Sequence, residues 1–366
     1  MGFKCGIIGL PNVGKSTLFN ALTETAAAAA ENYAFCTIEP NVGQVPVPDP
    51  RLDKIAELAK SARIVPTQLA FVDIAGLVRG ASKGEGLGNK FLSHIREVDA
   101  VLHVLRCFEN ADVVHVEGAI DPVADAETVE TELMLADLES LERRVATGIK
   151  QARGGDKEAK AQLALMERVL DLLRDGKPAR AANFEGDDAA RLKGLQLLTS
   201  KKVLYVCNVD EESVATGNKF SRAVAEKAAR EGAGAVTISA AIEAEIAQME
   251  DPADRKEFLD GIGLEETGLA RVIRTGYELL DLITFFTAGP KEARAWTVRR
   301  GALAPQAAGV IHSDFERGFI RAETTSYEDY TALGGEQGAK AAGKMRLEGK
   351  EYVVQDGDIM LFRFNA

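Results

Sequence analysis

The stretch GLPNVGKST at residues 9–17 constrains this chain more than any other, because the apolar run KCGIIG precedes it and the helix-forming run TLFNALT follows it. It has the pattern G-x-x-x-x-G-K-[ST], and each fixed residue has a mechanical reason. Gly9 and Gly14 let the backbone curl so that its N–H groups point inward at phosphates. Lys15 neutralises oxygens of the β and γ phosphates, and Ser16 offers a hydroxyl to Mg2+. Asn12, Val13 and Thr17 complete the expected phosphate-binding set. A strand, a loop of this kind and a helix begin an α/β domain with its ligand at the carboxyl ends of parallel strands.

The rest of the chain keeps that rhythm. Strand-length apolar runs recur at residues 3–9, 69–73, 100–107, 203–208 and 235–238, with helix-like segments between most of them. Fully apolar strands separated by helices predict a parallel sheet covered on both faces. From about 126 to 200 the rhythm breaks. Leu138, Leu141, Val145 and Ile149 mark one apolar stripe at helical spacing, and Leu163, Met166, Val169, Leu170 and Leu173 mark another. Between them Gly154 and Gly155 can reverse the chain and Asp156 can cap the next helix, which predicts an antiparallel helical hairpin. Beyond residue 281, runs such as DLITFFTA, EARAWTV and DGDIMLFRFN read as short strands with turns and one helix, a small α+β domain. The expected division is a P-loop nucleotide-binding domain over 1–280, a hairpin insertion over 126–200 within it, and the α+β domain over 281–366.

The stretch FVDIAGLVRGASKGEGLGNKF supplies a second half to the phosphate site. Asp73 ends an apolar strand, where an acidic residue holds magnesium through water, and Gly76 stands where a backbone N–H reaches a γ-phosphate. Glycines at 80, 84, 86 and 88 make a segment that a γ-phosphate can order and hydrolysis release. FCTIEPN at 35–41 matches a first switch, with the Thr37 hydroxyl on Mg2+; its plainer reading is a turn in which Pro40 stops a strand.

Charge narrows the partners. The 366 residues carry 56 Asp+Glu against 44 Lys+Arg, a formal net charge of −12, which argues against a sequence-independent DNA coater. Neither a membrane nor sequence-specific DNA is an expected partner, since no apolar run reaches membrane-spanning length. Residues Glu142 to Arg180 run the other way, with ten Lys+Arg and six Asp+Glu. That net +4 is either a solvated helix face or a contact to RNA phosphates. From 281 onward, 12 acidic and 11 basic residues nearly balance. MGFKCGIIGL is too short an apolar start for a signal peptide, and Gly6 stands where a myristoylation motif needs Ser or Thr, so a cytoplasmic protein is expected. Cys5, Cys107 and Cys207 fall in apolar runs and read as core, not as a disulfide framework or zinc site.

GLPNVGKST, DIAGLVRGASKGEGLGNKFL, the stretch NVDE at 208–211 and RAWTVRRGALAPQAAGVIHSDFERGFIRAET together resemble the Obg-like ATPases of the YchF type, over essentially the whole chain. The resemblance implies a P-loop domain with a helical coiled-coil insertion, a ubiquitin-like TGS domain, ribosome binding and a preference for ATP over GTP. It also implies that His115, in ADVVHVEG, corresponds to a histidine given a catalytic role on a mobile loop. On the residues alone, a histidine between valines is more often simply a packed side chain. Related switches use an asparagine at the place of Asn12 to hold K+.

NVDE poses the question of the base. Many P-loop switches carry Asn-Lys-x-Asp here, with the Asp carboxylate accepting two hydrogen bonds from guanine; this chain has Val209 and Glu211 instead. Glu211 carries its carboxylate one methylene farther out, and Val209 lacks the stem that would cover the ring. Weak guanine selectivity is expected, with Asn208, Val209 and Glu211 as base contacts, partly through backbone. Asp210, one residue out of register, keeps a GTPase open, and the SAA segment at 239–241 does not settle it. Leu77 follows Asp-x-x-Gly where other switches place a water-orienting Gln, so turnover is slow or another group enters. The leading reading is an ATP-hydrolysing, Mg2+-dependent switch whose nucleotide state controls docking on the ribosome, through large-subunit RNA or protein. A GTPase, and a ribosome-binding regulator with a structural nucleotide, are the alternatives; a metabolic kinase would leave the switch segments and tail without purpose.

Overall fold

A computed structural model of the chain describes residues 3–30, 42–74, 87–110 and 120–365. Among them twelve strands occur: β1 (Lys4–Ile8), β2 (Val42–Pro46), β3 (Ile64–Val65), β4 (Gln68–Asp73), β5 (Ala100–Arg106), β6 (Lys202–Asn208), β7 (Gly234–Ile238), β8 (Leu282–Ala288), β9 (Ala293–Arg299), β10 (Phe319–Thr325), β11 (Arg346–Glu348) and β12 (Ile359–Phe364). The chain forms two compact units, one drawing on residues up to Glu24 and on Ala70–Val272, the other on Gln44–Leu69 and on residues from Ile273.

One sheet has the order β2-β4-β1-β5-β6-β7, and its strands β1, β5, β6 and β7 lie wholly in the first unit. β1 runs parallel to β4 and β5, β5 to β6, and β6 to β7. Every residue of β5 is buried, which is why it reads as a continuous apolar run and not as an alternating one. The five strands expected in this unit are all present. β2 was not expected, since VGQVP carries a glycine and a proline in five residues and shows no strand signal.

The helical hairpin follows β5. Its first helix, Pro122–Ala152, starts on Asp121, whose carboxylate accepts from Val123 N at 3.1 Å and Ala124 N at 3.0 Å. Its second, Lys157–Arg174, starts on Asp156, which accepts from Glu158 N at 2.9 Å, and the reversal passes through Gly155 at φ 87°. The two stripes meet: Leu141, Leu165, Met166, Val169, Leu170 and Leu173 are buried, with Leu138, Val145 and Leu163 packed against them. Each such side chain contributes about 1.5–3 kcal/mol. Ile149 lies off this core, 39 % exposed.

Polar groups fix the root of the hairpin to the sheet. Buried Asp137 accepts from Leu198 N at 2.9 Å, Thr199 N at 2.8 Å and the Thr199 hydroxyl at 2.7 Å. Arg180 pairs with Glu130 and reaches Glu231 at 3.6 Å, while Lys227 meets Glu231 at 2.6 Å and Glu127 at 3.6 Å. The Tyr205 hydroxyl of β6 donates to Glu231 at 2.8 Å. Glu231 therefore joins the helix Lys219–Glu231 to the sheet and to the hairpin.

The second unit holds a mixed sheet, β11-β10-β12-β8-β9-β3. β8 and β9 form an antiparallel pair, β10 pairs antiparallel with β11 and β12, and β3 lies parallel to β9. One core gathers Ile283, Phe285, Val298, Ala322, Met360 and Phe362; another gathers Phe286, Ala295 and Tyr330 with Leu52 and Ile55 of the helix Pro50–Ala59. The tail is α+β as expected, but it carries four short helices among the described residues where one was expected: Ala304–Ile311, Ser313–Arg317, Tyr327–Ala332 and Glu336–Ala341. Helices of five to eight residues are too short to display a period. The unit also takes in residues 44–69, ahead of the position 281 at which the sequence reading opened it.

The environment of Glu231 makes stability depend on pH. Partial burial alone would push its carboxyl up, but hydrogen bonds from Lys227 and Tyr205, with the charges of Lys227 and Arg180, hold it below the ordinary glutamate value of 4.5. A depressed carboxyl stabilises the fold above its unfolded-state value and loses that contribution as pH falls. In urea unfolding, Glu231→Gln should be less stable than the parent at pH 7, and the gap should shrink as pH falls below 4.5. A gap that is constant with pH would show that Glu231 is not stabilised as a charge.

Candidate nucleotide site

Between β1 and the helix Lys15–Ala30 the backbone turns through conformations that few residues accept. Gly9 lies at φ 152°, where a Cβ would stand 2.4 Å from the Val104 carbonyl oxygen, and Gly14 at φ 97°, where one would stand 2.4 Å from Asn208 Nδ2. Asn12 takes the left-handed region at φ 64°, which asparagine tolerates better than most residues. Val13 is buried and anchors the loop from beneath. The loop thus reaches a helix N-terminus with no acidic residue in its first turn, so unpaired N–H groups and the positive end of the helix dipole face one place.

Lys15 is only 8 % exposed and donates from Nζ to the Leu10 carbonyl at 2.6 Å. Ser16 and Thr17 are exposed beside it. Asp73 ends β4 in register with Ile7 of β1, next to the loop. Burial lowers the Lys15 pKa and the Asp73 charge opposes that; burial raises the Asp73 carboxyl and the Lys15 charge opposes that. Each group thus favours the charged form of the other, in a place that a phosphate and a cation can share.

The base-side segment departs from a simple contact list. Asn208 is 5 % exposed at the end of β6. It donates from Nδ2 to the Val13 carbonyl at 3.0 Å and accepts at Oδ1 from Ala240 N at 2.9 Å. Its amide therefore ties the phosphate loop to the segment after β7. Val209 is 2 % exposed and sits in the core with Leu105, Cys207 and Val214, while its N–H donates to the Ile238 carbonyl at 2.8 Å. Asp210 accepts from Ser213 N at 2.9 Å and caps the turn Glu211–Ser213. Glu211 is exposed.

A cleft of about 1000 Å3 opens over these residues, bounded by Asn12, Gly14 and Thr17 on the phosphate side and by Asn208 to Glu211 and Ser239 to Ala241 on the base side. Two further walls had no motif to announce them. One is Phe108–Asn110, held by buried Arg106, which donates to the Phe108 carbonyl at 3.2 Å and the Asn110 carbonyl at 3.0 Å. The other is Asn218–Phe220, held by Asn218, which caps its helix and donates to the Cys107 carbonyl at 2.7 Å. Lys219 and Glu109 join the walls at 3.1 Å. Of the expected site residues, Asn12, Gly14, Thr17, Asn208, Val209 and Glu211 line this cleft; Thr37, Gly76 and His115 lie outside the described residues. Among the described residues no cluster of three His, Cys, Asp or Glu could hold a metal, so a cation here would depend on hydroxyls, one carboxylate and the ligand's own oxygens.

Comparison with known proteins agrees in length and order. A family model described as "50S ribosome-binding GTPase" matches residues 4–166, and a YchF GTPase C-terminal model, described as a protein of unknown function, matches residues 282–365. The chain is 59 % identical over 366 residues to a protein of Haemophilus influenzae named "Ribosome-binding ATPase YchF", covering all of both chains. It is 53 % identical over 368 residues to the protein of that name in Bacillus subtilis, again covering all of both. The solved structure of the Schizosaccharomyces pombe YchF GTPase superposes with a TM-score of 0.89 at 37 % identity, over 99 % of this chain and 98 % of that one.

Removing the Asn208 amide tests how the cleft is held. Asn208→Ala leaves a buried carbonyl and a buried N–H without partners, at about 1–3 kcal/mol of folding stability. Nucleotide affinity should fall about tenfold, or about 1.4 kcal/mol. Denaturant unfolding and nucleotide titration measure the two; a variant unchanged in both would show that the clamp is incidental.

Proposed function

The chain belongs to the YchF family of ribosome-binding ATPases, and from that premise we propose that it is a nucleotide switch that hydrolyses ATP and binds the ribosome according to which nucleotide it holds. What carries this reading is the pairing of a complete phosphate loop with a base segment whose guanine-reading carboxylate is displaced. Guanine offers two adjacent donors, and Glu211 presents its carboxylate one methylene farther out than the usual aspartate. Adenine offers a donor beside an acceptor, which backbone N–H and C=O groups answer. The Asp210 carboxylate, the one feature that kept a GTPase open, accepts from Ser213 N through Oδ1 and stays exposed on the cleft. The preference for adenine over guanine is therefore proposed on the Glu211 displacement alone, and the fission-yeast structure bears the name of a GTPase.

In the proposed site the loop N–H groups and Lys15 hold the β and γ phosphates, and Asn208 keeps the loop curled toward them. Ser16, Thr37 and Asp73 are hard oxygen donors suited to Mg2+, and the charge balance between Asp73 and Lys15 fits a cation held beside them. When bound, Mg2+ neutralises charge that develops on the phosphoryl oxygens. Asn12, in its left-handed conformation, is the proposed K+ ligand. Gly76 is proposed to donate its N–H to the γ-phosphate, and His115 to supply the polar group that Leu77 lacks. The ribosomal partner is proposed to be the large subunit, and the protein cytoplasmic; among the described residues no helix is long and apolar enough to cross a membrane.

Two outcomes check this reading. Phosphate release from ATP should exceed release from GTP at equal concentration and fixed magnesium, and GTP turning over tenfold faster would contradict it. Lys15→Ala should cut ATP turnover at least about 100-fold, because it removes charge stabilisation from the transferred group. Its melting temperature should barely change, since among the described residues the Lys15 ammonium donates to the Leu10 carbonyl alone.

A further inference from the structure

The basic excess of the helical hairpin is not spread evenly. Along its stem the arginines are engaged: Arg174 with Glu142 at 3.0 Å, Arg168 with Asp188 at 3.1 Å, Arg143 with Glu139 at 3.8 Å, and Arg144 on the Leu195 carbonyl at 2.7 Å. At the tip the pattern ends. Lys150, Arg153, Lys157 and Lys160 are all exposed, and among the described residues none forms an ion pair. The acidic groups beside them are committed elsewhere. Asp156 caps its helix, and both Glu158 oxygens are held by Arg191, at 2.8 and 3.0 Å.

Two of the four cations stand where local stability disfavours them. Lys157 and Lys160 occupy the first turn of the helix Lys157–Arg174, at the positive end of its dipole. The dipole disfavours a cation there, and positions that break a local preference are where functional groups are expected. Lys150 and Arg153 close the preceding helix, whose negative end favours them, and bring the cluster to four around one tight turn. Between residues 149 and 160 the only large apolar side chain is Ile149. Ile149 apart, the tip lacks the aromatic or aliphatic anchors on which protein interfaces depend, but has the charge that a phosphate backbone attracts.

We propose that this tip, through Lys150, Arg153, Lys157 and Lys160, is the surface that grips RNA phosphates when the protein docks on the ribosome, while the stem arginines serve only to hold the hairpin together. The proposal rests on the ribosome-binding reading above. Four phosphate contacts to duplex RNA predict a log–log salt slope near −3.6, about −0.9 for each contact.

The test uses the full-length chain and two probes, ribosomes by cosedimentation and a generic RNA duplex by titration, across a range of KCl. In the variant Lys150→Gln/Arg153→Gln/Lys157→Gln/Lys160→Gln, binding to both probes should fall at least tenfold and the salt slope should flatten by about 3–4. Intrinsic ATP hydrolysis should stay within about twofold, and the melting temperature should not drop, since each replaced side chain is exposed and unpaired. A stem control, Arg168→Gln, should keep both affinity and slope. Undiminished ribosome binding with an unchanged slope in the tip variant overturns the proposal and leaves the ribosome-binding reading standing. Loss of ribosome binding by a protein that never bound the duplex overturns it in favour of an acidic protein surface. A parent chain that binds the duplex through the tip but not ribosomes upholds the tip and defeats the ribosome reading.

Discussion

The Asn208 carboxamide is the constraint on which the nucleotide cleft depends. One planar group accepts from Ala240 N and donates to the Val13 carbonyl, so the phosphate loop, the end of β6 and the segment after β7 cannot move independently. Gly14 has to be glycine on two counts, its positive φ and the 2.4 Å that a Cβ would leave to Asn208 Nδ2. The curl that aims backbone N–H groups at phosphate and the clamp that holds the curl are therefore one packing solution. The geometry also explains why an asparagine can persist at 208 while Val209 and Glu211 differ from the guanine-binding pattern: its work lies on the loop, whichever base is bound.

A second consequence concerns how distant parts of the first unit share one rigid element. The helix Lys219–Glu231 has Asn218, Lys219 and Phe220 on the cleft at its start and Lys227 and Glu231 in the ionic cluster at its end. Its 13 residues span about 20 Å. Arg180, Glu127 and Glu130 of the hairpin segment meet that cluster, and Tyr205 ties it to β6, three residues before Asn208. Hairpin and cleft are thus joined through charged groups in partial burial, where removing one partner costs more than the pair contributes.

Much of this was legible in the chain. The five strands of the first unit, the two hairpin stripes and the Asp156 cap follow from periodicity and capping chemistry, because those signals are local. β2 and β3 escaped because a five-residue strand with glycine and proline and a two-residue strand carry no pattern. The placing of Ile64–Val65 beside β9 depends on a pairing some 230 positions away, which no window sees. At the site, the phosphate loop and Asp73 were marked by motif. Phe108, Asn218 and Phe220 were not, since they line the cleft through the turns that Arg106 and Asn218 hold. Val209 looked like a base contact by its place in NVDE, yet its side chain belongs to the core and its N–H to the Ile238 carbonyl, which leaves its own carbonyl to face a ligand.

In the proposed site the 208–211 segment chooses the base through where its carboxylate stands, and not through Asn208. The direct measurement is the ratio of ATP to GTP dissociation constants in the parent and in Glu211→Asp, a change that shortens one exposed side chain and leaves the Asn208 clamp untouched. The predicted result is a parent that binds ATP at least as tightly as GTP and a variant whose ratio moves toward GTP by about tenfold, or about 1.4 kcal/mol. A ratio identical in the two proteins would contradict it, and would place base selection in the Phe108 and Phe220 walls instead.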